Sequence, residues 1–236
     1  MNLSPDRLLA EIVDLVPGAS RVLESFRLDY CCGGQQSLRD ACDRGGLDSA
    51  VVVEALDALD GGPAPDWVPM SPALLVDHLE TTHHAYLHAE LPRLVALADK
   101  VAGVHGPRHP ELIELHQLCT GLRDDLEPHM AKEEHVLFPM VRELSTAISP
   151  QSFHCGSVAN PISMMMREHE HTGAILEAIN RLTQGYRLPD DACASYRALY
   201  EGLAALEADT HLHIHKENNT LFPAVIELEK RWAPVG

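Results

Sequence analysis

Apolar residues recur at helical spacing through most of the chain, and the strand-like alternation of apolar and polar positions is almost absent. After Ser71 the periodicity predicts four long amphipathic helices, at roughly 71–101, 110–145, 161–184 and 190–230. Gly103 to Pro110, Ser149 to Pro161 and Gly185 to Pro189 separate them, and Ser71-Pro72 supplies an N-cap and a first helical residue. Short connections between long helices predict an up-down-up-down bundle. Upstream, shorter periodic stretches open on Ser4-Pro5 and are broken at Pro17-Gly18, Gly33-Gly34 and Gly45-Gly46, the pattern of a small helical module. The expected architecture is all-α: a helical domain at 1–60, a linker at 61–70 beginning Gly61-Gly62-Pro63-Ala64-Pro65, and a four-helix bundle at 71–232.

Composition narrows the function classes. Eighteen Lys and Arg against 35 Asp and Glu leave a net charge of −17, so a polyphosphate backbone is repelled and nucleic-acid binding is not expected. No stretch reaches the roughly 18 apolar residues of a membrane span, and Met1 to Asp6 lacks a basic flank and an apolar core, which predicts a cytoplasmic protein without a membrane partner. Six scattered Cys in a chain of 236 residues do not form a secreted disulfide framework, so reduced thiols are expected. All 15 His fall between His78 and His215.

The chemistry lies in a repeat. His129-Met130-Ala131-Lys132-Glu133, followed by Leu137-Phe138-Pro139, returns 84 residues later as His213-Ile214-His215-Lys216-Glu217, followed by Leu221-Phe222-Pro223. His84 and His169 lie 85 residues apart, in the helices preceding each copy, so the bundle reads as a duplicated helical hairpin. Four residues turn an α-helix by about 400°, which places each His and its Glu on nearly the same side, one turn apart, where they can share a ligand. If that side faces the bundle axis, His84, His129, His169 and His213 converge with Glu133 and Glu217. Two metal ions would relieve the cost of burying two carboxylates, and imidazole with carboxylate suits iron, manganese or zinc better than copper(I). Asp125 and Asp209, each four residues before the His of a copy, are placed to hold that imidazole's other N–H.

Rival readings use other residues. Glu80-x-x-His83 and Glu168-x-x-His171 resemble the pairs of ferritin-like carboxylate sites, but their offset of 88 breaks the register and leaves His129 and His213 idle. His84-x-x-x-His88 and His211-x-x-x-His215 could each clip a zinc ion, although His211 and His215 lie about 160–200° around the helix from His213, on an expected solvated face. Met164-Met165-Met166 reads as core filling.

With these residues in view, the segment from about Leu75 to Leu228 resembles a hemerythrin-like di-iron bundle, and more narrowly the Ric family of proteins for repair of iron centres. The resemblance is carried by His84 before Glu90-Leu91-Pro92, by His129 and Glu133, by His169 after Pro161-Ile162-Ser163, and by His213 and Glu217 in Glu-Asn-Asn-x-Leu-Phe-Pro. It implies that these six residues hold two iron ions bridged by Glu133 and Glu217, with an oxo or hydroxo bridge left open. Asp29-Tyr30-Cys31-Cys32-Gly33-Gly34 is similar to the family's accessory domain, so the likeness spans nearly the whole chain. Oxygen-carrying hemerythrins add a His and an Asp where this chain has Gly173 and Asn218, so coordination positions open to reaction or iron exchange are expected.

Cys31 and Cys32 are expected as free thiols, because adjacent Cys close only a strained ring. Gly33-Gly34 allows close backbone approach, and a helix beginning near Ser37 is expected to make a nearby thiol a better nucleophile or iron ligand, with Cys42 a further candidate. Cys119, Cys155 and Cys193 read as structural. The resemblance implies repair of iron–sulfur clusters damaged by nitric oxide or oxidants, with iron passing to damaged iron–sulfur proteins and Cys31 and Cys32 at the transfer surface. A second expectation is an enzyme that reduces nitric oxide or peroxide at the di-iron site, with Glu168 and Asp125 as proton carriers and nitric oxide or O₂ as small ligands. A third is an iron store or oxygen-binding sensor. Client identity and homodimer formation stay open at this level.

Overall fold

In a computed structural model the protein is built from helices; residues 3–59, 62–63, 65–149, 151 and 153–231 are described. Met1 and Asn2, the domain boundary at 60 and 61, Ala64 of the linker and the expected bundle end at 232 lie outside them, as do two positions of the connection before the third long helix. No helix among the described residues is long and apolar enough to cross a membrane. The chain forms two compact units. One gathers Met1–Val76, Val141–Val158 and His211–Gly236, and the other Asp77–Met140 and Ala159–Thr210.

The first unit contains α1 (Leu9–Leu15), α2 (Ala19–Ser25), α3 (Leu38–Gly45) and α4 (Ser49–Asp57). Ser4-Pro5 does not start a helix as expected. Arg7 donates its amide to the Ser4 carbonyl in a turn, Leu8 stays extended in a bridge to Ser37, and helix begins at Leu9. Backbone groups at 7–9 are already used across that bridge, because the Leu9 amide donates to Gln36 and the Leu38 amide to Arg7. The breaks at Gly18 and Gly46 hold: both adopt left-handed backbone, φ 85° and 65°, which a side chain would oppose. Ser37 caps α3 by accepting from the Asp40 amide, and Asp48 caps α4 by accepting from Ala50. Leu9, Ile12, Leu23, Tyr30, Leu38, Cys42, Val52 and Leu56 form the core, and Ile214 from the distant C-terminal part joins it.

The second unit is a four-helix bundle. It follows α5 (Pro72–Leu79) and comprises α6 (Ala85–His105), α7 (Glu111–Lys132), α9 (Ala159–Leu182) and most of α10 (Ala194–His215); α8 (Phe138–Thr146) comes after α7 in the chain and lies mostly in the first unit. Leu87, Leu91, Leu94, Ala98 and Val101 in α6, and Leu112, Leu115, Cys119, Leu122 and Leu126 in α7, alternate spacings of three and four. Tyr196, Leu199, Leu203 and Leu206 do the same in α10, so each helix offers one apolar seam to the axis. Burial pushes the Cys119 thiol up to about 12, in keeping with a packing role. Of the three consecutive Met, only Met165 fills the core; Met164 and Met166 are exposed, since three adjacent positions cannot share one face of a helix.

Three of the four predicted helices are interrupted in a way the periodicity did not foretell. A π-helical turn occupies Glu80–His84 between α5 and α6, another Glu133–Leu137 between α7 and α8, and a third Lys216–Leu221 between α10 and α11 (Phe222–Lys230). Such turns insert an extra residue, are rare, and concentrate at functional sites.

Candidate metal centre

The π turns carry His84, Glu133 and Glu217, while His129, His169 and His213 stand on regular helix. All six side chains are buried. Within the bundle unit four of them meet. The two oxygens of Glu133 face different imidazoles: Oε2 lies 3.4 Å from His84 Nε2, and Oε1 lies 3.3 Å from His129 Nε2 and 3.9 Å from His169 Nε2. His129 and His169 approach with their Nε2 atoms 3.1 Å apart. In the other unit, His213 Nε2 lies 3.1 Å from Glu217 Oε1. Each i, i+4 pair therefore points its His and Glu the same way, as the 400° turn requires.

The neighbours of these imidazoles decide which nitrogen faces the carboxylate as a lone pair. His84 Nδ1 lies 2.8 Å from Glu134 Oε1, and His129 Nδ1 lies 2.8 Å from Glu168 Oε2. A carboxylate accepts only, so each Nδ1 carries a proton, and in the neutral imidazole each Nε2 then presents its lone pair toward Glu133. Lone pairs of two imidazoles converging on a fully buried carboxylate repel one another unless a cation lies among them. That donor set, imidazole nitrogen and carboxylate oxygen with the imidazoles braced by further carboxylates, fits a transition-metal ion such as iron.

Spacing misplaced the bracing groups. Asp125 does not hold His129; its Oδ2 lies 3.3 Å from His171. Asp209 does not hold His213; its Oδ1 pairs with Nδ1 of the buried His83 at 2.9 Å. With Nε2 aimed at a Glu one turn along the same helix, Nδ1 of His129 emerges at the helix flank and meets a neighbouring helix instead. Burial raises the Glu134 carboxyl, but hydrogen bonds and charge from His84 and His88 outweigh it and hold the group below its ordinary value. Glu168 follows the same balance, with Lys132 and His129 overcoming burial. A cavity of about 470 Å³ reaches His129 between Asp125, Lys132, Arg167, Glu168 and His171. The Leu-Phe-Pro repeat also acquires a role, because Phe138 is buried and stacks on the His84 ring with centroids 5.4 Å apart.

The ferritin-like alternative finds no support, since His83 and His171 are bound to Asp209 and Asp125. His88 pairs with Glu134 rather than clipping an ion with His84. His215 is not solvated as expected. It is fully buried against the N-terminal helices, with Nε2 3.1 Å from Asp14 Oδ1 and Nδ1 3.4 Å from the Tyr30 carbonyl.

That same face holds the cysteine loop. Asp29 Oδ1 accepts from the amides of Cys31 and Cys32 and Oδ2 from Gly33, so one carboxylate wraps the turn. Asn219 Nδ2 donates to the Cys31 carbonyl at 3.0 Å, and Asn218 reaches the same oxygen at 3.4 Å. A Cβ on Gly34 would lie 2.5 Å from the Tyr30 carbonyl and 2.7 Å from Asn219, which is why glycine is needed there. Both thiols are free, with sulfurs 3.9 Å apart, as expected. Cys31 is not activated as expected. The hydrogen bond with Cys32, then burial, then the charge of Asp29 push the Cys31 thiol well above its ordinary value, because the turn places a carboxylate 3.2 Å from its sulfur. Asp29, Cys31 and Cys32 can nevertheless offer one ligand atom each to a single ion. Cys42 is packed in the core and does not join them.

Two domain descriptions match the chain: the hemerythrin HHE cation binding domain over residues 75–225 and a domain of unknown function, DUF542, over residues 5–60. The iron–sulfur cluster repair protein YtfE of Cronobacter sakazakii is 36% identical over 226 residues, which cover 95% of this chain and 98% of that protein. YtfE of Escherichia coli O157:H7 is 36% identical over 223 residues, 94% and 97% of the two chains. A probable iron–sulfur cluster repair protein of Haemophilus influenzae is 35% identical over 222 residues, 92% and 96%. Matching domain composition, near-complete coverage and the buried His and Glu of the bundle agree: the chain belongs to the hemerythrin HHE family, in the branch that contains the iron–sulfur cluster repair proteins.

Proposed function

We propose that this protein repairs iron–sulfur clusters damaged by nitrosative or oxidative stress, by supplying iron from a di-iron centre. The observation that carries the reading is the divided use of Glu133, whose two oxygens address His84 on one side and His129 with His169 on the other, the disposition of a carboxylate bridging two ions. His213 and Glu217, the remaining ligands that the family resemblance implies, would hold the iron together with these residues, Glu217 serving as a second bridge. Iron bound there supplies a labile, redox-sensitive cargo held by only six protein ligands. The printed function of the relatives supports repair as the use to which it is put. In this reading the accessory domain at 1–60, the linker at 61–70 and the bundle at 71–232 work together in the cytoplasm, and Cys31 and Cys32, with Asp29, receive or steer departing iron toward damaged iron–sulfur proteins.

Metal analysis with optical and Mössbauer spectra, on protein purified without added metal, tests the centre. Two coupled irons per chain, lost in Glu133→Ala/Glu217→Ala, are expected; one zinc or no metal overturns it. Rebuilding of a nitric-oxide-damaged cluster with stoichiometric appearance of apo-protein then separates donation from catalysis. The cavity beside His129 favours a second reading, reduction of nitric oxide or peroxide, with Glu168 and Asp125 relaying protons from its lining. Many turnovers with iron retained would select it.

A further inference from the structure

The connections 106–110 and 183–193, at one end of the bundle unit, assemble side chains that the metal-centre reading leaves unused. His105 is buried, and its Nε2 lies 3.3 Å from Sγ of Cys193. Cys193 is exposed and stands directly before α10; its carbonyl accepts from the Arg197 amide, which makes it the N-cap of a 22-residue helix. His109 lies beside them between Asp191 Oδ1 at 3.0 Å and Glu111 Oε1 at 3.1 Å, and Arg108 also pairs with Asp191. Tyr196 packs edge-on against both imidazoles, with ring centroids 5.3 and 5.9 Å away.

His105 Nδ1 is buried and makes no hydrogen bond. A buried histidine serving only the fold would satisfy both ring nitrogens, since an unmet polar group is costly. This ring directs its one polar contact at a thiol that solvent can reach. An imidazole in contact, a helix N-terminus and exposure are together the surroundings of a reactive cysteine. Of the other thiols, Cys31, Cys42 and Cys119 are buried, Cys32 shares the carboxylate-wrapped turn, and the half-buried Cys155 turns its sulfur to the Ser157 carbonyl, 3.7 Å away.

We infer that Cys193 is a nucleophilic thiol with His105 as its base, a modification site for small hydroperoxides distinct from the Cys31–Cys32 loop. Sγ attacks the distal oxygen of the hydroperoxide, forming an S–O bond as the O–O bond breaks. The thiol proton passes through His105 Nε2 to the departing oxygen. Sulfur is oxidised by two electrons to a sulfenic acid, and the hydroperoxide is reduced to an alcohol or, for hydrogen peroxide, to water.

The test uses the full chain with its metal, treated briefly with iodoacetamide, and mass spectrometry of each cysteine. Cys193 is expected to react about tenfold faster than glutathione at the same pH, and His105→Asn, with unchanged circular dichroism, to fall to the glutathione rate. Hydrogen peroxide followed by dimedone is expected to trap the sulfenic acid first at Cys193. A wild-type Cys193 no faster than glutathione overturns the inference, whether or not the variant folds. A folded His105→Asn protein that reacts like wild type removes the role of His105, and trapping elsewhere but not at Cys193 removes the hydroperoxide.

Discussion

The two copies of the His-x-x-x-Glu repeat share their ligand pair, their π turn and the Leu-Phe-Pro that follows, and they differ in the residues immediately after the Glu. In the first copy that residue is Glu134, which braces His84. In the second it is Asn218, with Asn219 beside it, and both amides hold the backbone of Cys31. One position has thus served two ends: a charged acceptor fixes an imidazole in one copy, and a neutral donor fastens a cysteine loop in the other. The residues between His and Glu differ as well, since His215 and Lys216 pack against Asp14 and Trp67, whereas Lys132, the counterpart of Lys216, pairs with Glu168 beside the cavity. The repeat keeps its His and Glu in both copies, and its flanks differ.

The largest effects should come from what the copies share. Glu133→Ala is expected to weaken iron binding by on the order of 100-fold or more, read as iron per chain after dialysis, because it removes both oxygens of the proposed bridge. The comparison sharpens at the next residue. Glu134→Gln should cost about 10- to 100-fold in iron affinity by loosening the His84 tautomer, while Asn218→Ala should change it by less than about twofold. Competition with a chelator measures both, and equal losses would break the proposed division of labour.

The second copy's own role shows in the loop. Asn219→Ala is expected to destabilise the N-terminal unit by about 1–2 kcal/mol, through the lost donor to Cys31, and to speed amide exchange at 29–34. Gly34→Ala should act in the same direction, since its Cβ has no room. Urea unfolding and hydrogen exchange test both.

The smallest effect concerns a surface pair remote from either copy. The hydrogen bond to Asp191, with that to Glu111, raises His109 above the ordinary imidazole value, and the same bond lowers Asp191. The contribution of His109 is complete below about pH 6.5 and fades as pH rises through its raised value; that of Asp191 fades as pH falls through its lowered one. The stability difference between wild type and His109→Asn should therefore be small, largest in mildly acidic solution and absent in alkali, as melting temperature against pH would record.

Much of the fold was legible because it rests on local rules. Apolar spacing placed the long helices within a few residues of their observed ends, and Gly18 and Gly46 marked real turns because only glycine enters left-handed backbone cheaply. Ser4-Pro5 misled because capping chemistry is equally at home in a turn, and a bridge between Leu8 and Ser37 claimed the backbone first. The π turns were illegible, since one inserted residue leaves no mark in a pattern read with a tolerance of several positions.

The internal repeat by itself singled out His84, His129, Glu133 and His169, which the bundle brings into contact, because residues four apart on a helix must share a side wherever the helix packs. Which carboxylate holds which imidazole was settled only in three dimensions. Glu168, rather than Asp125, braces His129 because the second nitrogen of a ring aimed along its own helix faces a neighbouring helix, while Glu134 braces His84 and Asp209 turns to His83 instead of His213. The burial of His215 and the docking of the cysteine loop on Asn218 and Asn219 were likewise decided by tertiary contacts spanning about 190 residues of chain. Periodicity reports the side of a helix on which a residue lies, and only packing determines what waits on that side.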